Sequence, residues 1–263
     1  MNELMHSNAA LDETQRRMLD VAMNQVRMRG LSVGFGDLRL EDVIEAAGVS
    51  RSSAVRHWGS KSAFIEDLLV EVALFGAGNL TDSDAMSTAL AVASSHQQWQ
   101  TTQVGREMLM SEIIRTTLEN NYFSTLDSVA WQSYLSISAT LLTAMPKSKR
   151  QRLESALLAG NSRFIDEMAG FYEEIANLLG FRLRTEFDGG FRLFATLASS
   201  LVEGLAVRHQ SNPGITDELY LGDTPDGSAR HDWSAASIGF SALYRTFLEL
   251  DPTFVPSQQV GSQ

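Results

Sequence analysis

The residues best suited to chemistry lie in one short stretch, Arg51-Ser52-Ser53-Ala54-Val55-Arg56-His57-Trp58-Gly59-Ser60-Lys61. Arginine and lysine bind phosphate oxygens, arginine also forks onto guanine edges, and serine serves either target. No Asp or Glu occurs from Ala46 to Ile65, whereas Arg51, Arg56 and Lys61 do. The chain of 263 residues carries a net charge of −11. As a whole it repels polyanions, so any phosphate-contacting face must be local. A positive, acid-free island is the footprint of such a face.

The elements that position this stretch follow from its neighbours. Leu40 to Ala47 reads as a short helix, Gly48-Val49-Ser50 as a tight turn, and Arg51 starts a second short helix. Two short helices joined by a Gly-containing turn make a helix-turn-helix. Gly30 and Gly48 stand where left-handed residues close the first and second helices, and Ser50 and Ser60 where N-caps open the third and fourth. At about 100° per residue, Ala54 and Trp58 share a face towards the preceding helix. Ser52 and Arg56 point about 160° away from Ala54, flanked by Ser53 and Val55.

Apolar residues elsewhere recur at three and four, not at two. Phe164, Met168, Phe171, Ile175 and Leu178 form one such stripe. Phe194, Leu197, Leu201 and Leu205 form another, and Phe240, Leu243, Tyr244 and Phe247 a third. Sustained alternation and Asn-Gly hairpins are absent from the sequence, so the expected class is all-α. Five prolines leave long stretches open to helix. Helices are expected over 12–29, 38–47, 51–58, 61–76, 83–101, 103–118, 122–144, 147–179, 188–209 and 233–250. The segment Gln210 to Asp232, rich in Asp, Gly and Pro, reads as irregular, either mobile or partly helical. The tail 252–263 reads as disordered.

Composition narrows the class further. With 44% apolar and 20% charged residues the chain is globular. With no cysteine it has no disulfide, thiolate metal site or thiol nucleophile. No phosphate-loop or dinucleotide glycine motif occurs, and Gly34-Phe35-Gly36 is an isolated fragment. Gly239-Phe240-Ser241-Ala242-Leu243 lacks the closing glycine of a nucleophile elbow and falls in an expected helix. His6, His57, His96, His209 and His231 show no metal-ligand spacing. Carboxylate pairs such as Glu173-Glu174 read as solvated helix faces. No catalytic residue, metal or cofactor is therefore expected, and the chain is not read as an enzyme. The longest apolar or glycine run, Val72 to Gly78, is too short to span a membrane, and no targeting signal is visible. A cytoplasmic protein without a membrane partner is expected.

Positions 14–75 resemble the DNA-binding domain of the TetR/AcrR family of transcriptional regulators. Ala22 and Gly30 match its first helix, and Val43-Ile44-Glu45-Ala46-Ala47-Gly48-Val49-Ser50 its turn. His57-Trp58 matches an aromatic pair, and Ser60-Lys61 with Phe64 the start of the fourth helix. The resemblance implies a helix-turn-helix domain over 1–75 and a helical ligand-binding and dimerisation domain over 76–251. It implies that Arg51, Ser52, Ser53 and Arg56 reach base edges in the major groove of double-stranded DNA. His57 and Lys61 would hold phosphates, with Arg39 at the backbone. His57 has an alternative, packing against the first helix. Val55 stands where the family usually has Tyr, which removes one hydroxyl contact; Trp58 replaces Phe; and the Leu31 to Asp37 loop is longer than usual.

The same resemblance implies a homodimer and a small-molecule effector. The expected interface is Phe194, Leu197, Leu201, Leu205, Phe240, Leu243, Tyr244 and Phe247 on the last two long helices. The expected ligand-binding residues are Trp99, Phe123, Trp131, Tyr134, Phe164, Met168 and Phe171. They suit a largely apolar or aromatic ligand. By family behaviour, ligand binding would shift the fourth helix and release the operator, as for a repressor. A rival expectation is a DNA-silent ligand-binding or protein-interaction module on the same fold.

Overall fold

The structure is a computed structural model, and it describes residues 12–30, 38–75, 83–138 and 147–256. Along the chain come α1 (Glu13–Arg29), α2 (Leu40–Ala47), α3 (Arg51–Trp58), α4 (Lys61–Phe75) and α5 (Ser83–Ser95). A 3-10 turn (Gln97–Thr101) leads into α6 (Gln103–Asp127), followed by α7 (Val129–Ser136) and α8 (Lys147–Leu178). Then follow β1 (Phe181–Leu183), α9 (Gly190–Ser211), α10 (Pro213–Asp217), β2 (Tyr220–Asp223), β3 (Arg230–Trp233), α11 (Ala235–Phe247) and β4 (Leu248–Leu250). The class is all-α, with two small two-stranded sheets. The expected Leu31 to Asp37 loop lies outside the described residues, as do 139–144 of an expected helix.

The chain divides into two compact units, Met1–Leu80 with Ser128–Arg163, and Thr81–Asp127 with Phe164–Gln263. The first therefore takes in α7 and the start of α8 beside the N-terminal helices. Its helix α1 opens on a capping box: Asp12 accepts from the N–H of Thr14 and Gln15, and Gln15 returns to the Asp12 N–H. Met18 and Ala22 of α1, Val43 of α2, Phe64 and Leu68 of α4, and Ala156 of α8 are all wholly buried in one core. Helix α8 approaches α4 without room for a side chain: a Cβ on Gly160 would stand 2.3 Å from the carbonyl oxygen of Ala73.

In the second unit, α6 supplies Leu109, Ile113 and Ile114 to a core shared with Phe194, Ala198 and Val202 of α9 and Phe240, Tyr244 and Phe247 of α11. The rings of Tyr172, Phe194 and Phe240 form a cluster, with Tyr172 at 5.0 Å from Phe194 and 5.5 Å from Phe240. The expected helix 83–101 breaks after Ser95 into the 3-10 turn, and the expected gap after 118 is filled because α6 runs on to Asp127. Ser128 then caps α7 by accepting from the N–H of Trp131 at 3.2 Å.

The Gln210 to Asp232 segment is structured. It completes α9, forms α10 with Pro213 at its first turn, and folds into an antiparallel hairpin pairing Tyr220 with Trp233 and Asp223 with Arg230. The turn Pro225-Asp226-Gly227 closes it. Gly227 is left-handed (φ 69°), and Asp226 Oδ1 accepts from the Ser228 N–H and the Thr224 hydroxyl. A second antiparallel pair joins Phe181 to Leu250. Residues 252–256 of the expected disordered tail are described, and Phe254 lies 5.0 Å beneath the guanidinium of buried Arg106. Residues 257–263 lie outside the described residues.

By length and composition α9 is long and apolar enough to cross a membrane, unlike the shorter run read from the sequence. Phe194, Ala195, Ala198, Val202 and Ala206 bury one stripe of it in the unit, while Leu197 and Val207 lie exposed.

Candidate nucleic-acid interface and the cavities of the second unit

The turn between α2 and α3 is built as its residues dictate. Gly48 is left-handed (φ 63°), and its N–H reaches the carbonyls of Ile44 and Glu45. Ser50 caps α3 by accepting from the Ser53 N–H at 3.1 Å. Its hydroxyl also donates to Ser53 Oγ and meets Ser52 Oγ, both at 2.9 Å. The inner face is as expected: Ala54 is buried, and the Trp58 indole N–H donates to Asp67 at 2.9 Å while its ring meets Phe64 edge-on at 5.0 Å.

Arg51, Ser52, Val55 and Arg56 are exposed on the outer face, and Ser53 is half-buried. Arg56 makes no hydrogen bond or ion pair to any described residue. Arg51 is different, since its Nη2 lies 3.9 Å from Glu41 of α2. Arg39 precedes α2 and lies 4.0 Å from Asp42. These acids sit just outside the acid-free run, and linear sequence gives no sign of their approach. Lys61 is exposed at the start of α4, where Ser60 Oγ accepts from the Ala63 N–H.

His57 faces inward. Its side chain is 17% exposed, and Nε2 lies 2.7 Å from Oδ2 of Asp12, the N-cap of α1. The contact is an ion-pair distance without hydrogen-bond alignment, since Nε2 has no hydrogen-bond partner among the described residues. Of the two roles read for His57, this geometry matches packing against the first helix.

The expected ligand-binding residues fall in both units. Trp131, fully buried, and Tyr134, half-buried, belong to the first unit. Phe123 is exposed, Phe164 is buried, and Met168 is half-buried. Phe171 lines an apolar cavity of about 40 Å³ with Met110, Ile114, Thr117, Tyr172, Phe194, Phe240 and Tyr244. Trp99 lines a separate cleft of about 170 Å³ under the β2–β3 hairpin. In the small cavity the Thr117 hydroxyl is buried without a hydrogen-bond partner among the described residues. Burial pushes the Tyr172 phenol strongly up, so it stays protonated.

The expected dimer interface needs a correction. Phe194, Phe240, Tyr244 and Phe247 are each at most 5% exposed within the single chain, so they form its own core. Their helical spacing marked an apolar face correctly but could not say whether the same chain covers it. Leu197 is exposed, and Leu201, Leu205 and Leu243 are half-buried.

Among the described residues no group of His, Asp and Glu could hold a metal ion. Ser111, Thr117 and Trp233 line the cavities without having been singled out by the sequence. For Trp233 a signal exists, the Pro-Asp-Gly turn that implies a hairpin; for the two helical hydroxyls there is none.

No family description and no characterised protein matches this chain. Two solved structures are similar to it. One, from Vibrio parahaemolyticus and assigned to the TetR family of transcriptional regulators, is 14% identical, with 90% of this chain and 100% of that chain covered and a TM-score of 0.43. Another, a TetR-family assignment from Rhodococcus sp., is 17% identical, with 89% of this chain and 98% of that chain covered and a TM-score of 0.37.

Proposed function

We propose that the protein is a ligand-responsive transcriptional regulator, a repressor that binds a palindromic operator as a homodimer in the cytoplasm and is not an enzyme. The observation that carries this reading is the exposed, acid-free face of α3, with Arg56 uncommitted behind a turn closed by left-handed Gly48. A recognition helix lays such a face in the major groove. Arg56 reads base edges, Arg51, Ser52, Ser53 and Val55 border the groove, and Lys61 and Arg39 hold phosphates. The open face of α9, with Leu197 and Val207, supports pairing with a second copy. The apolar lining around Phe171 supports a small, largely apolar effector, which would widen the cavity of about 40 Å³ as it enters and release the operator by favouring one of two conformers.

Selection of genomic fragments by the purified protein, followed by fluorescence anisotropy across salt concentrations, tests the reading. A palindromic site whose log affinity falls linearly with log salt is the expected result. No enriched fragment, with only weak binding at low salt, supports the second reading of a DNA-silent ligand-binding module. The contacts of Glu41 with Arg51 and Asp42 with Arg39 favour that alternative.

A further inference from the structure

The 170 Å³ cleft of the second unit has walls unlike those of the apolar cavity. Trp99 and Trp233 are two of them. His96 stacks on Trp99 at 4.1 Å, and Trp233 packs so closely on Gly222 that a Cβ there would stand 2.9 Å from its ring. Both indoles are thus held in place.

Among the polar groups of the cleft His231 can donate or accept, and the others are chiefly acceptors. Thr224 and Ser228 line it, and their hydroxyl protons go to Asp226 Oδ1 at 2.7 and 2.8 Å; Thr224 Oγ1 also accepts from the Ala229 N–H, so each oxygen keeps an acceptor position but Thr224 only one. Glu112 also lines it, with its carboxylate oriented by two bonds from Arg115 at 2.9 and 2.6 Å. Glu119 and Asp232 also act on Arg115, which shares its charge between them and Glu112. No lysine or arginine is among the lining residues.

Ser111 supplies an independent sign. It lines the cleft, is 4% exposed, and its side chain makes no hydrogen bond to any described residue. Hydroxyls in helices usually turn back to a preceding carbonyl, as Thr116 and Thr125 of the same helix do at 2.8 and 2.9 Å. The Ser111 hydroxyl makes no such bond, so it is open to a ligand in the cleft.

We propose that this cleft binds a small organic cation, a protonated amine on an aromatic or similarly flat apolar body. Trp99 and Trp233 offer their π-faces to the charge and the body. Glu112 supplies the counter-charge, Ser111 accepts from the ammonium N–H, and Arg115 is a positioning residue that fixes the carboxylate. The site is read on the protein alone, so it stands or falls separately from DNA binding.

The test is titration of the full chain with benzylammonium, benzyl alcohol and benzoate, followed by calorimetry and tryptophan emission. Benzylammonium is expected to bind at least about tenfold more tightly than benzoate. Glu112→Gln and Trp233→Leu are each expected to weaken it by about three- to tenfold, with thermal melts confirming that both variants fold. Ser111→Ala should weaken benzylammonium but leave benzyl alcohol, bound through its ring, less affected. Benzoate binding as tightly as benzylammonium would overturn the proposal. So would unchanged affinity in folded Glu112→Gln and Trp233→Leu, or no binding of benzylammonium at all.

Discussion

Nη2 of Arg51 lies 3.9 Å from Oε1 of Glu41, joining the first residue of α3 to the first turn of α2. Both side chains are largely exposed, so the contact is weak and salt-sensitive. A phosphate or base edge competes with Glu41 for the same guanidinium. Glu41→Gln is therefore expected to raise DNA affinity several-fold on every sequence alike, seen as a lower Kd in anisotropy titrations at fixed salt. Unchanged affinity would mean that Arg51 does not approach DNA.

Arg56 and Lys61 are expected to separate specificity from affinity. Arg56→Ala should cost about 1–3 kcal/mol on the operator and relax preference at one base pair. Lys61→Ala should weaken all sequences equally and reduce the salt slope by about 1. Competition between operator and scrambled duplexes distinguishes the two.

Leu197 tests the dimer. Leu197→Glu places a charge on the exposed stripe of α9 without disturbing the buried stripe that contains Phe194 and Ala198. The expected result is a mass near that of one chain by light scattering with unchanged helical circular dichroism. A mass matching the parent protein would remove Leu197 from the interface.

Glu71 gives a pH-dependent test of the first unit. Burial raises its carboxyl, assisted by Asp67 and Asp20 and opposed by Arg152. The folded state therefore holds the proton more tightly than the unfolded chain. Stability is lost as pH rises from the ordinary carboxylate range through the folded value, and the penalty persists above it. Glu71→Gln is expected to raise Tm at neutral pH, since it removes the cost of holding a charged carboxylate there. The gain should shrink towards pH 4.

Asp226 has the opposite sign. The Ser228 N–H and the hydroxyls of Thr224 and Ser228 lower its carboxyl, so its contribution is present at neutral pH and lost as pH falls through the depressed folded value. The hairpin tip should keep its amide shifts through the usual aspartate range and change only below it. Asp226→Asn should speed hydrogen exchange at Ala229, whose N–H bonds Thr224 Oγ1 at 3.1 Å.

Much of the first four helices is legible because their signals are local. Ser50 and Ser60 cap where serine is expected to cap, and Gly30 and Gly48 close helices at positive φ. The faces of α3 follow from helical spacing, so Ala54 is buried and Arg56 exposed. The hairpin was missed for a physical reason: its strands are four residues each and mostly exposed, so no alternating apolar pattern marks them. Its turn chemistry carried the only signal.

The sequence by itself determined the helical class, the helix-turn-helix and the acid-free run, because period, caps and charge order act between near neighbours. Tertiary structure alone decided which faces meet. It turned His57 to Asp12, set Glu41 beside Arg51, and divided the aromatic residues between cavity, cleft and core. It also enclosed Phe194 and Phe240 within one chain instead of leaving them for a partner. A helical stripe states that a face must be buried; the surface that buries it comes from elements far apart in the chain, and local period does not encode that pairing.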